Sequence, residues 1–319
     1  MIIATCFISG CVDDITVVES IDIIVDANGD GNYTSIREAV ENAEEGDVIL
    51  VKSGTYTENV RIDTTLKIIG EDKENTIVNF KESGYYYIFF VNTDGCTIEN
   101  LTIINTNTNA SKEIYGINLN SDNNIVTNNI VQKCRWGIYV KDSRKNNQIL
   151  NNNCDLNEDG IHLLYGQDNL ISNNVVTDSS ENGIYANTGS HNNTFSYNTI
   201  SNGSGYGIRL RGSEDCQVYN NILKNNGIGA YMCCGAKNNH IYNNIFRDNN
   251  KKNALDAVNN KWDNGNIGNY WDDYDGLDED GDGIGDSLYY IFAKEDGSIS
   301  NVGGVIKDNY PLMEPPFDE

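Results

Sequence analysis

Three groupings in the chain combine residue type and spacing in ways suited to chemistry. The first is Asp278-x-Asp280-x-Asp282-Gly283-Ile284-x-Asp286: side-chain oxygens on alternate residues, a glycine for a sharp turn, and Ile284 placed to offer a carbonyl. A hard cation such as Ca2+ takes about six to eight oxygens in this kind of arrangement, although the closing bidentate glutamate of a full EF-hand is missing. The second grouping is His162, flanked by Glu158 and Asp159, with Arg209 and Arg211 further along. A general base with cations able to neutralise a uronate outlines a lyase or epimerase, and makes His162, Asp159 and Arg209 the catalytic candidates. The third is Met232, Cys233, Cys234 and His240, a grouping of thioether, thiol and imidazole side chains.

A repeat sets the positions of all these residues. Asn129, Asn152, Asn174, Asn198, Asn221 and Asn244 recur every 22 to 24 residues. Three residues earlier stand Val126, Ile149, Ile171, Phe195, Val218 and Ile241; two residues later stand Val131, Cys154, Val176, Ile200, Leu223 and Phe246. A glycine column follows (Gly116, Gly137, Gly160, Gly183, Gly207, Gly229), and behind it two more apolar columns alternate, running Ile117 to Ala230 and Leu119 to Met232. Alternation at period two specifies strands rather than helices. A coil of this length holding short strands describes a parallel β-helix. Stacked at about 4.8 Å, the coils turn each column into a ladder of like side chains. An asparagine at a bend then bonds to its copies above and below and satisfies backbone that turns away from the sheet.

Between the last two apolar columns, alternation turns Asn118, Tyr139, His162, Tyr185, Arg209 and Tyr231 outward. Beside them, just before each glycine, lie Tyr115, Trp136, Asp159, Asn182, Tyr206 and Ile228. Rings that stack on sugar C–H faces, with polar groups to fix orientation, suit a linear polysaccharide running along the axis. The carbohydrate-binding candidates are Tyr115, Trp136, Tyr139, Tyr185, Tyr206, Arg209 and Tyr231. Catalysis is the alternative for the same face. Against it, Arg135 and Glu158 share a column and are expected to form an ion pair between coils, and only Asp159 supplies an aspartate where a polygalacturonase-type hydrolase needs several. Met232 belongs to an inward column, as do Cys96, Cys154 and Cys216, and buried cysteine behaves as a small hydrophobe.

The repeats resemble the right-handed parallel β-helix of the pectin-lyase-like superfamily, in its NosD-like, carbohydrate-binding and sugar-hydrolase (CASH) branch. The opening "IIVDANGDGNYTSIREAVENAEEGDVILVKSGTYTENVRI" resembles the start of these proteins and of pectin methylesterases. In it Ser35-x-x-Glu38 forms a capping box, and Ile36, Ala39, Val40 and Ala43 make an apolar stripe on a helix over 35–43 that would cover the first coil's open edge. The stretch "GNYWDDYDGLDEDGDGIGDSLYYI" resembles what archaeal surface members carry after their last coil. Its acidic loop resembles thrombospondin type-3 and EF-type calcium loops, and its tryptophans and tyrosines are expected to close the last coil. The resemblance implies the fold far more than an activity, since this scaffold hosts lyases, hydrolases, esterases, epimerases and plain binding proteins. The NosD-like resemblance also implies copper delivery to nitrous oxide reductase as a further alternative, for which Met232, Cys233, Cys234 and His240 are the soft ligands of the kind copper(I) prefers; the inward place of Met232 disfavours it.

Composition sets the remaining bounds. With 47 acidic and 22 basic residues, a net charge of −25, the 319-residue chain is a poor partner for nucleic acid. No run approaches the roughly 18 apolar residues of a membrane span. Ile8-Ser9-Gly10-Cys11 resembles a lipobox, which makes Cys11 a lipidation candidate and a lipid anchor the expected membrane contact, although no basic residue precedes it. The expected organisation is a leader and tether over 1–21, an all-β, single-stranded right-handed parallel β-helix over 22–250, and a calcium-bearing acidic and aromatic cap over 251–319. The expected function is an exported cell-surface protein that binds polysaccharide or builds the envelope. Cleavage or epimerisation of uronate glycans and copper delivery are the alternatives.

Overall fold

The computed structural model describes residues 20–107, 113–258, 260–298, 300–301 and 304–318. The leader and the lipidation candidate Cys11 lie outside the described residues.

The chain winds into a right-handed parallel β-solenoid of about 11 turns. Each turn lays one strand on each of three parallel sheets, of 10, 10 and 9 strands, and the antiparallel strands Tyr289–Ile291, Ser300–Asn301 and Gly304–Asp308 form a small sheet near the C-terminus. One coil shows the plan: Ile125–Thr127 on the first face, Ile130–Gln132 on the second, and Trp136–Val140 on the third. The register is the one the columns specify, with Val126 opposite Ile149, Val131 opposite Cys154, and Ile138 opposite Ile161. These inward ladders are sealed from solvent and form one continuous core.

The corners explain the paired asparagines. At the first corner Asn128, Asn151, Asn173, Asn220 and Asn243 hold φ between 55° and 57°, the left-handed region that asparagine tolerates better than most side chains. The following asparagine is buried, and its amide donates to the next coil's oxygen: Asn129 to Asn152, Asn152 to Asn174, and onward to Asn269 at 2.9–3.1 Å. A second ladder, absent from the expectation, climbs the corner between the third and first faces through Asn124, Asn147, Asn169 and Asn193 at 2.9–3.1 Å. Cys216 interrupts it by donating its backbone N–H to Asn239, and Asn239 continues to Asn260.

At the N-terminal end, helix α1 (Ile36–Asn42) buries Ile36, Ala39 and Val40 and packs near Val60–Ile62. The Ser35 Oγ accepts the Glu38 N–H, but the carboxylate at this end comes from a distant residue. Glu58 accepts the N–H groups of Ile36 and Arg37 and the Ser35 hydroxyl, at 2.9–3.2 Å. At the other end Phe246, Trp271 and Tyr289 stack at 4.4 and 4.2 Å over the last coil, and Trp262 packs within 5.8 Å of Trp271. Third-face and second-face strands continue as Lys252–Asp256 and Tyr270–Trp271, so the cap grows directly out of the coils.

Candidate functional site

The third face brings the carbohydrate and catalytic candidates together, because its strands set them in neighbouring outward columns. Tyr115 stacks on Trp136 at 4.9 Å, and Trp136 on the His162 imidazole at 4.1 Å. Tyr139 and Tyr185 meet His162 edge-on at 5.6 and 4.8 Å. The Arg209 guanidinium lies 5.0–5.7 Å from the ring centres of Tyr185, Tyr206 and Tyr231. Arg135 covers Trp136 and pairs with Glu158 at 3.4 Å, the expected bridge between coils, and with Glu113 at 3.0 Å.

Alternation predicts the direction of these side chains but not their depth. Tyr139, His162, Tyr185, Asp159 and Asn118 are buried beneath their neighbours, while Tyr115, Trp136, Tyr206, Arg209 and Tyr231 are partly exposed. Stacked and edge-on contacts between neighbouring rings cover part of each. Burial holds the phenols of Tyr139 and Tyr185 above their ordinary range and pushes Tyr231 up to about 12. All three therefore stay neutral donors around pH 7.

Within this face His162 Nδ1 sits 2.7 Å from an Asp159 oxygen. The other Asp159 oxygen accepts the Asn182 backbone N–H and side-chain amide at 3.1 and 2.5 Å. The carboxylate thus fixes the imidazole's orientation, as an orienting carboxylate does for a general base. Four buried polar atoms on this face have no partner within the protein: His162 Nε2, Asn182 Oδ1, Asn118 Oδ1 and Arg209 Nε. Asn118 and Asn182 are functional candidates that residue type alone did not single out. Their signal was positional, as amides standing in the two outward columns that carry most of the rings. The exposed rings can stack a flat apolar ligand surface, while all four of these unpartnered polar atoms lie closed off from solvent beneath them.

The acidic loop is assembled in part. Carboxylate oxygens of Asp278, Asp280 and Asp282 lie within 4.8 Å of one another. Asp278 accepts the N–H groups of Gly281, Asp282 and Gly283 at 2.8–3.2 Å; these bonds, that of Gly283 foremost, pull its pKa down. Asp286 turns its carboxylate instead to the Glu279 N–H at 2.7 Å. Ile284 bridges Leu312 in the C-terminal segment, tying the loop to it.

With this geometry in hand, comparison with known proteins places the chain. A family model described as "Periplasmic copper-binding protein (NosD)" matches residues 70–276. The chain belongs to the NosD family. It is 31% identical over 91 residues to a probable ABC transporter binding protein NosD of Stutzerimonas stutzeri, a match covering 28% of this chain and 21% of that protein. The chain therefore spans about a fifth of the length of this curated NosD relative. It is also 28% identical over 132 residues to a probable pectinesterase of Arabidopsis thaliana, covering 37% of this chain and 44% of that one. Among solved structures it superposes on an alginate lyase from Paenibacillus with a TM-score of 0.52 at 15% identity, covering 73% of this chain and 94% of that one. With the Azotobacter vinelandii mannuronan C-5 epimerase AlgE6 A-module the TM-score is 0.50 at 16% identity, covering 69% and 73%. These two likenesses establish the shared fold.

Copper, implied by the NosD description, does not fit the soft-ligand grouping. Met232 and Cys233 are buried in the solenoid, whereas Cys234 is exposed beyond the strand. Burial pushes the Cys233 thiol up to about 11, which adds to the cost of the proton loss that binding copper would require. Among the described residues, the group of His, Cys, Asp and Glu side chains close enough to share an ion is the oxygen set of Asp278, Asp280 and Asp282. That set suits a hard cation rather than copper(I).

Proposed function

We propose that this NosD-family chain is an exported envelope protein that binds a linear polysaccharide along its third face. The observation that supports this reading is a convergence on one sheet. A ladder of partly exposed rings lies beside four buried polar atoms that lack partners, out of seven such atoms among the described residues. Burying a polar group without a partner costs about 1–3 kcal/mol, so a shift of the covering rings that opens these four atoms to a ligand's hydroxyls recovers part of that cost. Sugars supply the matching chemistry, with C–H faces for Trp136, Tyr206 and Tyr231 and hydroxyls for the amides. A carboxylated sugar finds its counter-charge at Arg209. The leader at Cys11 and the family's periplasmic description support export, with a lipid at Cys11 as the membrane contact and Ca2+ in the acidic loop as a structural ion.

The Asp159–His162 pair supports a second reading on the same face, cleavage or epimerisation of a uronate polymer with Arg209 as counter-charge. One experiment separates the two. Alginate, polygalacturonate and neutral polymers are incubated with the protein and Ca2+, and the products are read by mass spectrometry alongside retention on each immobilised polymer. Intact polymers whose retention falls in Trp136→Ala and Tyr206→Ala support binding. Unsaturated or shortened products that disappear in His162→Ala establish catalysis. Retention on none of the polymers, with no products, overturns both.

A further inference from the structure

A second group of rings stands away from this face, at the corner between the first and second sheets. In the column Asn100, Asn128, Asn151, Asn173, Tyr197, Asn220, Asn243 the corner residue has φ from 55° to 63°, and one member is a tyrosine. Asparagine tolerates this conformation because its short amide bonds locally, whereas a bulky side chain there is strained. Tyr197 recovers nothing by burial, since it is 55% exposed. Strain held at a solvent-facing position is a reason to look for a ligand.

The neighbouring coils extend the platform. Tyr197 meets Tyr219 at 6.1 Å and 78°, and Tyr219 stacks on Tyr242 at 5.3 Å and 12°. The buried ladder beneath fixes the strands that carry them: Asn221 donates to the Tyr219 carbonyl and Asn244 to the Tyr242 carbonyl, each at 3.0 Å. Three rings from successive coils thus form a rigid strip about 10 Å long. Along its edge run Gln217 and His240 on the same strands, and Asn220 and Asn243 at the corner, bonded at 2.6 Å. Burial, then the charge of Lys261, lowers the His240 pKa, leaving a neutral imidazole near pH 7.

The charge pattern selects the ligand. Across these three coils the outward columns read Thr194, Gln217, His240 and Ser196, Tyr219, Tyr242, with no carboxylate or ammonium, in a chain of 47 acidic and 22 basic residues; the first column continues to Lys261, which bridges His240, with Asp263 and Asp215 also near that ring. The three tyrosine rings themselves carry no charge to hold a phosphate, a uronate or a metal ion. A stable protein partner needs about 800 Å2 per side, several times what three partly exposed tyrosines present. Rings edged by amides and an imidazole match a flat, neutral sugar, whose C–H face stacks while its hydroxyls bond at the rim.

We infer that Tyr197, Tyr219 and Tyr242 form a second glycan subsite, independent of the third face, that takes neutral polysaccharide by stacking. The full chain and three variants are compared by affinity electrophoresis in gels containing hydroxyethylcellulose, β-1,4-xylan or β-1,4-mannan, with polygalacturonate as the charged control. Tyr197→Asn is the decisive variant, because it removes the ring while restoring the residue that the other coils use at that corner. It is expected to raise Tm while weakening retention on at least one neutral polymer about tenfold. Tyr219→Ala is expected to weaken retention likewise, while Trp136→Ala reports separately on the third face. The inference is overturned if no neutral polymer retards the wild-type chain, or if Tyr197→Asn and Tyr219→Ala bind as wild type does. It also falls if Trp136→Ala alone abolishes neutral retention, which would return the ligand to the third face. Loss of polygalacturonate retention in Trp136→Ala bears on the third face alone.

Discussion

Asn269 donates its backbone N–H and its side-chain amide to one oxygen of Asp308, at 2.7 and 3.3 Å. The same oxygen accepts the Trp271 indole at 3.0 Å, so the ladder that begins at Asn129 ends on a buried carboxylate. The second ladder ends the same way. Asn260 donates to Asp256, whose carboxylate also accepts the Trp262 indole at 3.0 Å. Every asparagine in such a ladder passes donors in one direction, and the last needs an acceptor with capacity to spare. An aspartate provides it, while its indole partner roofs the coil.

The Asp308 terminus makes stability depend on pH. Burial outweighs four hydrogen bonds and raises its pKa to about 6 from an ordinary value of 3.8. The folded state therefore holds this proton more tightly than the unfolded chain. The resulting stabilisation is fully present below about pH 4 and is lost as pH rises through about 6, on the order of 3 kcal/mol in all. Urea denaturation from pH 4 to 8 should show this decline on top of the general charge effect. In Asp308→Asn that component should vanish, leaving a shallower profile. Parallel profiles for the two proteins would refute the assignment.

Mid-ladder asparagines are expected to be costly to remove. Asn174 accepts from the Asn152 N–H and amide and donates to Ile149, Ser172 and Asn198, all while fully buried. Asn174→Ala strands several of these groups at once. Each buried orphan costs about 1–3 kcal/mol, so a loss of about 3–5 kcal/mol is expected by chemical denaturation. Asn173→Ala, at the left-handed position beside it, lies outside the buried ladder and should cost about 1 kcal/mol. Equal losses at the two positions would count against the ladder as the main support.

Much of this was legible in the sequence, and the rest failed for physical reasons. The period, the inward columns and the Asn129 ladder could be read because a side chain repeated every coil leaves a column. The second ladder was obscured where Cys216 breaks its column and supplies a backbone donor instead. Glu58 could not be seen as the carboxylate at the start of α1, because it acts from 21 residues beyond Arg37. The third-face residues were grouped correctly, but a period-two pattern carries no information on depth. His162 points away from the core and is nonetheless buried, because Trp136 lies across it. Tyr197 breaks a column of asparagines that can be read in the sequence, but the left-handed conformation of that corner, which gives the exchange its meaning, shows only in the backbone.

The glycine column records close contact between coils. A Cβ on Gly183 would lie 2.3 Å from Ile200 Cγ2 and 2.7 Å from the Gly207 carbonyl oxygen, and Gly137 and Gly160 are as confined. None of the three has a positive φ, so packing rather than backbone freedom selects glycine here. Gly183→Ala should destabilise by about 1–3 kcal/mol, the usual range for overpacking. Gly235→Ala meets no atom within 4 Å and is penalised through its φ of 92° instead. A Gly183→Ala variant as stable as wild type would show that the coils move apart freely.

The acidic loop predicts a calcium-dependent cap. Asp278, Asp280 and Asp282 converge without cationic partners among the described residues, so their mutual repulsion is a standing cost that a hard cation removes. The loop is bridged through Ile284 to Leu312, which in turn bonds to Asn269, so order in the loop is passed to the ladder terminus. Ca2+ at 100 times its dissociation constant stabilises the folded state by about 2.7 kcal/mol if the unfolded chain does not bind it. Thermal melts in Ca2+ and in EDTA should therefore differ by several degrees, and the difference should disappear in Asp280→Asn/Asp282→Asn. Mg2+ should substitute poorly, because it demands a smaller, near-octahedral shell. Identical melts in Ca2+ and EDTA would mean that the cap holds without an ion, leaving Asp308 and the stacked rings of Trp271 and Tyr289 to close the last coil.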